Sequence, residues 1–241
     1  MSLNAHLSTP DLSAQSTDPQ FRSFANFAQL SQQLVEDWLA LIDRAAATQS
    51  ASYFALAGGT TPSPIYQNLD TELSQRSHCQ VHMVATDERW VQDSDPQSNE
   101  GLFKRCLPLS YRKQWNLVSL KNGANIPEVA IEAISERLHQ QIPKTFNAVL
   151  LGMGNDGHIA SLFPNAPVQH DDLACLAAVH PQTHQTRISL SLPRLLQTEK
   201  IWLVITGDQK RQVFENANQT QLPISQLLQQ ARCKIEVFWC P

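Results

Sequence analysis

The chain has 241 residues, 42% of them hydrophobic and 17% charged, which supplies enough apolar material for one large α/β core. A net charge of −4 with no run of Lys or Arg excludes the broad basic footprint of a nucleic-acid binder, so any positive charge that matters is local. The five cysteines, Cys79, Cys106, Cys175, Cys233 and Cys240, are odd in number, widely spaced and free of CxxC pairs, which argues against a disulfide framework or zinc site and for a reducing cytoplasm.

Residues 1–20 are rich in Ser, Thr, Pro and Gln, lack the apolar core of a signal peptide, and read as a loose arm ahead of one domain over 21–241. No apolar stretch approaches membrane-spanning length. Phe24, Phe27, Leu30, Leu34, Trp38, Leu41, Ile42 and Ala45 recur at three- and four-residue steps, so 25–47 reads as a long amphipathic helix. Ser52 to Ala57 then forms a buried strand, and Gly58, Gly59, Thr60, Thr61 and Pro62 turn it into a helix running to about Leu73. The glycines free the backbone, the threonines offer helix caps and hydroxyls, and proline suits a first helical turn. Unpaired N–H groups at the positive end of that helix make an anion site, although an ordinary strand-to-helix turn has the same look. The P-loop lysine is missing, so a nucleoside triphosphate is not the natural ligand.

Val81 to Thr86 is a strand ending in Asp87, Glu88, Arg89 and Trp90. Arg89 suits a phosphate or carboxylate because its fork bonds two oxygens at once; an internally paired, solvated turn is the competing reading. After a polar loop with Asp93, Asp95 and Pro96, Ser98 and Asn99 open a helix over 99–107. Glu128 to Gln141 carries Val129, Ile131, Ile134 and Leu138 at helical spacing.

Ala148 to Leu151 is an apolar run without alternation, the pattern of a strand buried on both faces of a parallel sheet. Gly152, Gly154 and Gly157 follow, then His158, and Ile159 to Phe163 reads as the opening of a short helix cut off by Pro164. The glycine spacing matches the dinucleotide fingerprint, but Pro164 and Pro167 leave no room for the long helix that motif needs. His170, His180 and His184 lie in the irregular stretch 165–186 with no i, i+4 partner or acidic company, so no metal site is expected. Arg187, Ile188 and Ser189 start an alternating segment. Ile201 to Thr206 is a buried strand that ends in Gly207, Asp208, Gln209 and Lys210, a lysine placed either to reach the sheet edge or merely to face water. A last helix over 223–231 and strand over 235–239 close the chain, and no internal repeat is present.

Strand ends of like direction share one edge of a parallel sheet, so GGTTP, TDERW, GNDGHIAS and GDQK should converge there. An anion cradle, an arginine and a lysine beside a glycine-bounded His158 with Asp156 describe a pocket for a small phosphorylated molecule plus one acid–base group.

In chain order, LAGGTTP, TDERWVQDSDPQSN, LLGMGNDGHIASLFP, TRISLSLPRL and ITGDQK resemble the motifs of the 6-phosphogluconolactonase family, within the glucosamine/galactosamine-6-phosphate isomerase superfamily. DGHxASLFP is the most specific of them; GGTTP and GxxK are shared with related sugar-phosphate isomerases and deaminases. The chain departs from the pattern at Gln97, Asn155, Ile159 and Asn165. The resemblance implies a three-layer α/β/α sandwich with a mainly parallel, Rossmann-like sheet. It also implies hydrolysis of 6-phospho-D-glucono-1,5-lactone to 6-phospho-D-gluconate in the oxidative branch of the pentose phosphate pathway, with no metal and no cofactor.

A lactone carbonyl is already electrophilic, so such an enzyme needs a general base for water and donors for the developing oxyanion, not a covalent nucleophile. His158 is the expected base, since an imidazole titrates near neutral pH, with Asp156 shaping the loop or orienting the ring. The amides of Gly58, Gly59, Thr60 and Thr61 with Arg89, Arg187 and Lys210 are expected to hold phosphate, while Asn99 and Asp87 meet hydroxyls or loop backbone. No serine fits a GxSxG elbow, Ser161 falling inside the short helix expected there. A glucosamine-6-phosphate deaminase or aldose–ketose isomerase is the nearest alternative, but its matching segments resemble MDEY and GHIAFNEP where this chain has Arg89-Trp90 and Ser161 to Pro164. A non-catalytic sugar-phosphate module would keep the anion cradle without needing His158. The expected partner is the small-molecule lactone alone, for a cytoplasmic monomer with no nucleic-acid or membrane contact.

Overall fold

The computed structural model describes residues 18–73, 80–107, 115–142, 145–166 and 173–241. Residues 1–17 of the expected arm, Cys79, Pro167 and His170 lie outside the described residues. The first half runs β1 (Gln20–Ser23), α1 (Phe27–Ala47), β2 (Ser52–Leu56), α2 (Ser63–Leu73), β3 (Val81–Ala85), β4 (Asp87–Arg89), α3 (Asn99–Cys106) and β5 (Trp115–Val118). The second half runs α4 (Ile131–Gln141), β6 (Ala148–Gly152), β7 (Cys175–Val179), β8 (Thr186–Leu190), α5 (Leu192–Leu196), β9 (Lys200–Thr206), α6 (Asp208–Glu215), α7 (Pro223–Gln230) and β10 (Lys234–Cys240).

Seven strands form one sheet in the order β1-β10-β9-β6-β2-β3-β5, and every pairing in it is parallel. In β6 all of Ala148, Val149, Leu150 and Leu151 are at most 1% exposed, so both of its faces are covered, as parallel sheets require. The aromatic chain Trp38, Tyr66 and Phe103, with centroids 6.1 and 5.4 Å apart, packs α1, α2 and α3 side by side. Trp38 also meets Phe54 of β2 and Trp202 of β9, which seats α1 on the sheet. Each such fully buried side chain contributes about 1.5–3 kcal/mol.

Helix α1 begins at Phe27, two residues after the position expected from periodicity, because the Asn26 side chain accepts the Gln29 N–H at 3.0 Å and caps it. Gln20, expected to belong to the arm, is the first residue of β1, where pairing with β10 covers an otherwise open sheet edge. The helix expected over 128–141 divides into a 3-10 turn at Pro127–Val129 and α4. A second sheet, in the order β4-β8-β7, is antiparallel. Strand β4 starts directly after Thr86, whose N–H still donates to the Leu56 carbonyl of the main sheet while its carbonyl accepts from Leu190. No helix among the described residues is long and apolar enough to cross a membrane.

Candidate active site

From β2 the chain winds outward through β3 to β5, then returns to place β6 on the other flank of β2 and winds the opposite way through β9 to β10. Strand order therefore reverses between β2 and β6. In open parallel sheets the crevice outside the carboxyl ends at such a reversal is where ligands bind. The Gly58–Thr61 turn leaves β2 there, the His158 loop leaves β6, and the Lys210 segment leaves the adjacent β9.

His158 Nδ1 lies 2.5 Å from Asp156 Oδ1, and the same carboxylate oxygen accepts the His158 backbone N–H at 3.3 Å. The carboxylate accepts from Nδ1–H, which leaves a lone pair on Nε2 of the neutral ring. Burial works to raise the Asp156 pKa, but the charge and hydrogen bonds of His158 overcome it and hold the carboxyl below its ordinary value. Gly154 is what permits this pairing: a Cβ there would lie 2.2 Å from His158 Nδ1 and 2.5 Å from Asp156 Oδ1. The imidazole is partly open, with a side-chain exposure of 27%.

The helix expected at Ile159 to Phe163 is absent. Ala160 takes φ +49, and Ile159 and Leu162 form an isolated bridge. The cause is competition for Ser161: its N–H donates to Ser189 Oγ at 3.2 Å and its hydroxyl to Asp87 Oδ2 at 2.6 Å. Such side-chain bonds offer the backbone an alternative to helix. They also fasten the His158 loop to the second sheet, placing Phe163 5.1 Å from the His158 ring.

Arg89 of β4 and Arg187 of β8 are direct cross-strand partners. Opposed residues in an antiparallel pair share a face with their Cβ atoms about 4.5–5.5 Å apart, where like charges repel. Asp87 offsets part of this, 3.5 Å from Arg187 Nη1. Burial lowers the Arg187 pKa, Arg89 lowers it further, and Asp87 and Glu88 oppose. Arg89 Nη1 donates to the Gln97 carbonyl, yet the Nε–H groups of both arginines are buried without a partner among the described residues. Two guanidiniums on one face make a local positive charge that an anion would offset.

Side chains alternate along β4, so Glu88 points away from Asp87 and Arg89. Its carboxylate, fully buried, accepts from Ser98 Oγ (3.0 Å) and from the N–H groups of Asn99 (2.8 Å) and Glu100 (2.7 Å) at the start of α3. Lys121 Nζ completes the set at 3.3 Å. Asn99, 2% exposed, turns its amide to the Asp87 carbonyl at 2.7 Å, so it braces the loop backbone. Gly58 must be glycine for that: a Cβ there would lie 1.8 Å from Asn99 Oδ1. Gly58→Ala is expected to displace Asn99 and cost about 1–3 kcal/mol. Urea denaturation checks this, an unchanged midpoint showing that Asn99 moves aside freely.

Gly59 adopts φ +101, a backbone state that favours glycine. Thr60 and Thr61 do not cap α2, contrary to expectation. Pro62 holds the cap position, its carbonyl taking the Tyr66 N–H at 3.2 Å, and Ser63 Oγ bonds back to the Gly59 carbonyl at 2.9 Å. Thr60 is exposed and Thr61 half-buried. Lys210 lies in the first turn of α6, half-buried and without an ion partner among the described residues, and its burial lowers the ammonium pKa. His180, which carried no functional signal in the sequence, sits edge to face on Phe163 at 5.1 Å, next to the His158 ring. Only the β7–β8 hairpin brings it there, so no local motif marks it. A cavity of about 690 Å³ behind the loop is lined by Leu162, Pro164, Leu176, Leu192 and Pro223 among others, and none of His158, Arg89, Arg187 and Lys210 lines it. No cluster of three or more metal-ligating side chains occurs among the described residues.

The chain matches the model of the family described as glucosamine-6-phosphate isomerases/6-phosphogluconolactonase over residues 25–239. It is 35% identical over 195 residues to a 6-phosphogluconolactonase of Caulobacter vibrioides, covering 77% of this chain and 82% of that one. A 6-phosphogluconolactonase of Treponema pallidum is 31% identical over 185 residues, covering 73% and 76%. The crystal structure of a 6-phosphogluconolactonase from Shewanella baltica superposes with a TM-score of 0.84 at 29% identity, covering 93% of this chain and 98% of that one.

Proposed function

Because this chain belongs to the glucosamine-6-phosphate isomerase/6-phosphogluconolactonase family, we infer that the crevice between β2 and β6 is where it hydrolyses 6-phospho-D-glucono-1,5-lactone to 6-phospho-D-gluconate. The observation that carries the mechanism is the Asp156-held His158 at the carboxyl end of β6.

His158 Nε2 takes a proton from the water that attacks C1, and Asp156 stabilises the imidazolium that forms. As the tetrahedral intermediate collapses, the C1–O5 bond breaks and the proton passes to the departing O5, which becomes the C5 hydroxyl of the product. Atoms and charge balance without a covalent enzyme intermediate. Arg89, Arg187 and Lys210 together with the Gly58–Thr61 amides form the phosphate clamp, which supplies orientation and leaves the chemistry to the imidazole. Asp87 and Asn99 serve the clamp from behind, by pairing Arg187 and bracing the β4 backbone. The deaminase alternative is disfavoured because this chain has Arg89-Trp90 and Ser161 to Pro164 where the matching segments of those enzymes resemble MDEY and GHIAFNEP. We read the enzyme as acting in the cytoplasm, as a monomer, on this small molecule alone; the described cysteines are all free thiols.

Time-resolved NMR of freshly made 6-phosphogluconolactone, with and without enzyme, tests reaction and substrate together. Lys210→Gln is expected to raise KM by about 10- to 100-fold, the worth of one charge-assisted hydrogen bond, with kcat little changed. An unaltered KM would remove Lys210 from the clamp.

A further inference from the structure

The proposed mechanism uses one of the two imidazoles that flank Phe163. His158 and His180 each lie 5.1 Å from that ring, and the Arg187 guanidinium lies 5.8 Å from its centroid. We propose that His180 contacts the substrate, its Nε2–H donating a hydrogen bond to an oxygen of the bound sugar phosphate. The assignment rests on the lactonase reading and adds a binding residue to it.

Nδ1 of His180 accepts the backbone N–H groups of Gln182 and Thr183, each at 3.2 Å. A ring nitrogen that accepts carries no hydrogen, so the neutral imidazole bears its hydrogen on Nε2. The same two bonds stop the ring from turning, which gives that donor a fixed direction away from the hairpin turn. Nε2 has no partner among the described residues.

The hairpin itself is fastened in place. His180 N–H donates to the Gln185 carbonyl at 3.0 Å, and the Gln185 side chain takes Arg187 Nη2 at 3.3 Å while donating to the side chain of Gln97. Gln97 is the residue whose carbonyl holds Arg89, so the tip carrying His180 is tied to the arginine pair. The ionisable groups that face His180 are Arg187, His158, Asp156 and Arg89. Burial, then Arg187 and His158, lower its pKa, with Arg89 acting in the same sense and Asp156 against it. A neutral donor adds a contact beside two arginines without burying a third cation there. Sugar oxygens and phosphate both accept such a bond.

His180→Asn separates the donor from the turn. The asparagine Oδ1 stands where Nδ1 accepts the Gln182 and Thr183 N–H groups, and nothing replaces Nε2–H. The expected result is a rise of roughly two- to tenfold in both the KM for 6-phosphogluconolactone and the calorimetric Kd for 6-phosphogluconate, with kcat and melting temperature near wild type. His180→Gln, which returns an N–H at the ε position, recovers part of the loss. A parallel loss of affinity for inorganic phosphate places the contact on the phosphate, and an unchanged phosphate affinity places it on the polyol. Unchanged KM and Kd in His180→Asn overturn the proposal, as does a fall in kcat alone. If His180→Asn does not fold, His180→Phe, which keeps a ring against Phe163 and has no N–H, decides: a rise in both KM and product Kd supports the donor, and unchanged values overturn it. Absence of lactone turnover in the wild-type enzyme would instead overturn the lactonase reading, leaving 6-phosphogluconate titration to judge His180 separately.

Discussion

His158→Gln should lower kcat/KM for 6-phosphogluconolactone by about 10²- to 10⁴-fold, the worth of a positioned general base. The glutamine keeps much of the volume packed against Phe163 but has no lone pair of comparable basicity. The fall belongs in kcat, because the proposed phosphate clamp of Arg89, Arg187 and Lys210 is left unaltered, and the Kd for 6-phosphogluconate should stay within about threefold of wild type. Rates are read as the excess over spontaneous ring opening in the same NMR tube. Turnover equal to wild type would end the general-base assignment. Loss of product binding alongside the fall would show instead that the imidazole holds the ligand.

Glu88→Ala should be the most damaging single change to stability near the site. The alanine removes the acceptor for Ser98 Oγ and for the Arg89, Asn99 and Glu100 N–H groups, and it takes from Lys121 the buried one of its two carboxylates, Asp93 remaining at 2.6 Å. Breaking a buried pair by deleting one partner costs about 3–5 kcal/mol. At about 2–4 °C per kcal/mol for a chain of this length, the melting temperature should drop by roughly 6–20 °C. Glu88→Gln should fall between the two, since the amide keeps an acceptor oxygen but turns a donor toward the same N–H groups. A melting temperature unchanged in Glu88→Ala would show that the start of α3 is held by other means.

How much of this was legible beforehand follows from how each element is buried. Strands β2, β3, β6 and β9 are continuous apolar runs, and α1 carries a clean apolar stripe, so periodicity finds them. Strand β4 is Asp-Glu-Arg, buried by ion pairing and hydrogen bonds and not by apolar side chains, and no hydrophobic pattern can reveal it. The TDERW segment read as either a site or a paired turn is divided by alternation: Asp87 and Arg89 share a face with Arg187, and Glu88 faces α3. Strand β8 was foreshadowed by the alternation that starts at Arg187, whereas β7 fell in the stretch 165–186 read as irregular, and the pairing of these remote segments, with the facing of Arg89 and Arg187, is not written in periodicity. The turn at Ile159 to Phe163 was misread because the Ser161 bonds to Asp87 and Ser189 come from residues remote in sequence. His158 and the glycine-bounded loop were legible from spacing alone; His180 depends on a hairpin that spacing does not encode.

The position of β6 between β2 and β9 bears on how the molecule is made. A ribosome releases β2, β3 and β5 well before the strand that must sit against the other flank of β2, so a half-built chain presents Phe54, Ala55 and Leu56 along an unmated backbone edge. The proposed base, His158, and two members of the proposed clamp, Arg187 and Lys210, are still to come at that stage. Neither piece of a chain divided between β5 and β6 carries all the residues of the proposed site, and the nascent amino-terminal half exposes a strand edge open to aggregation or to capture by a chaperone.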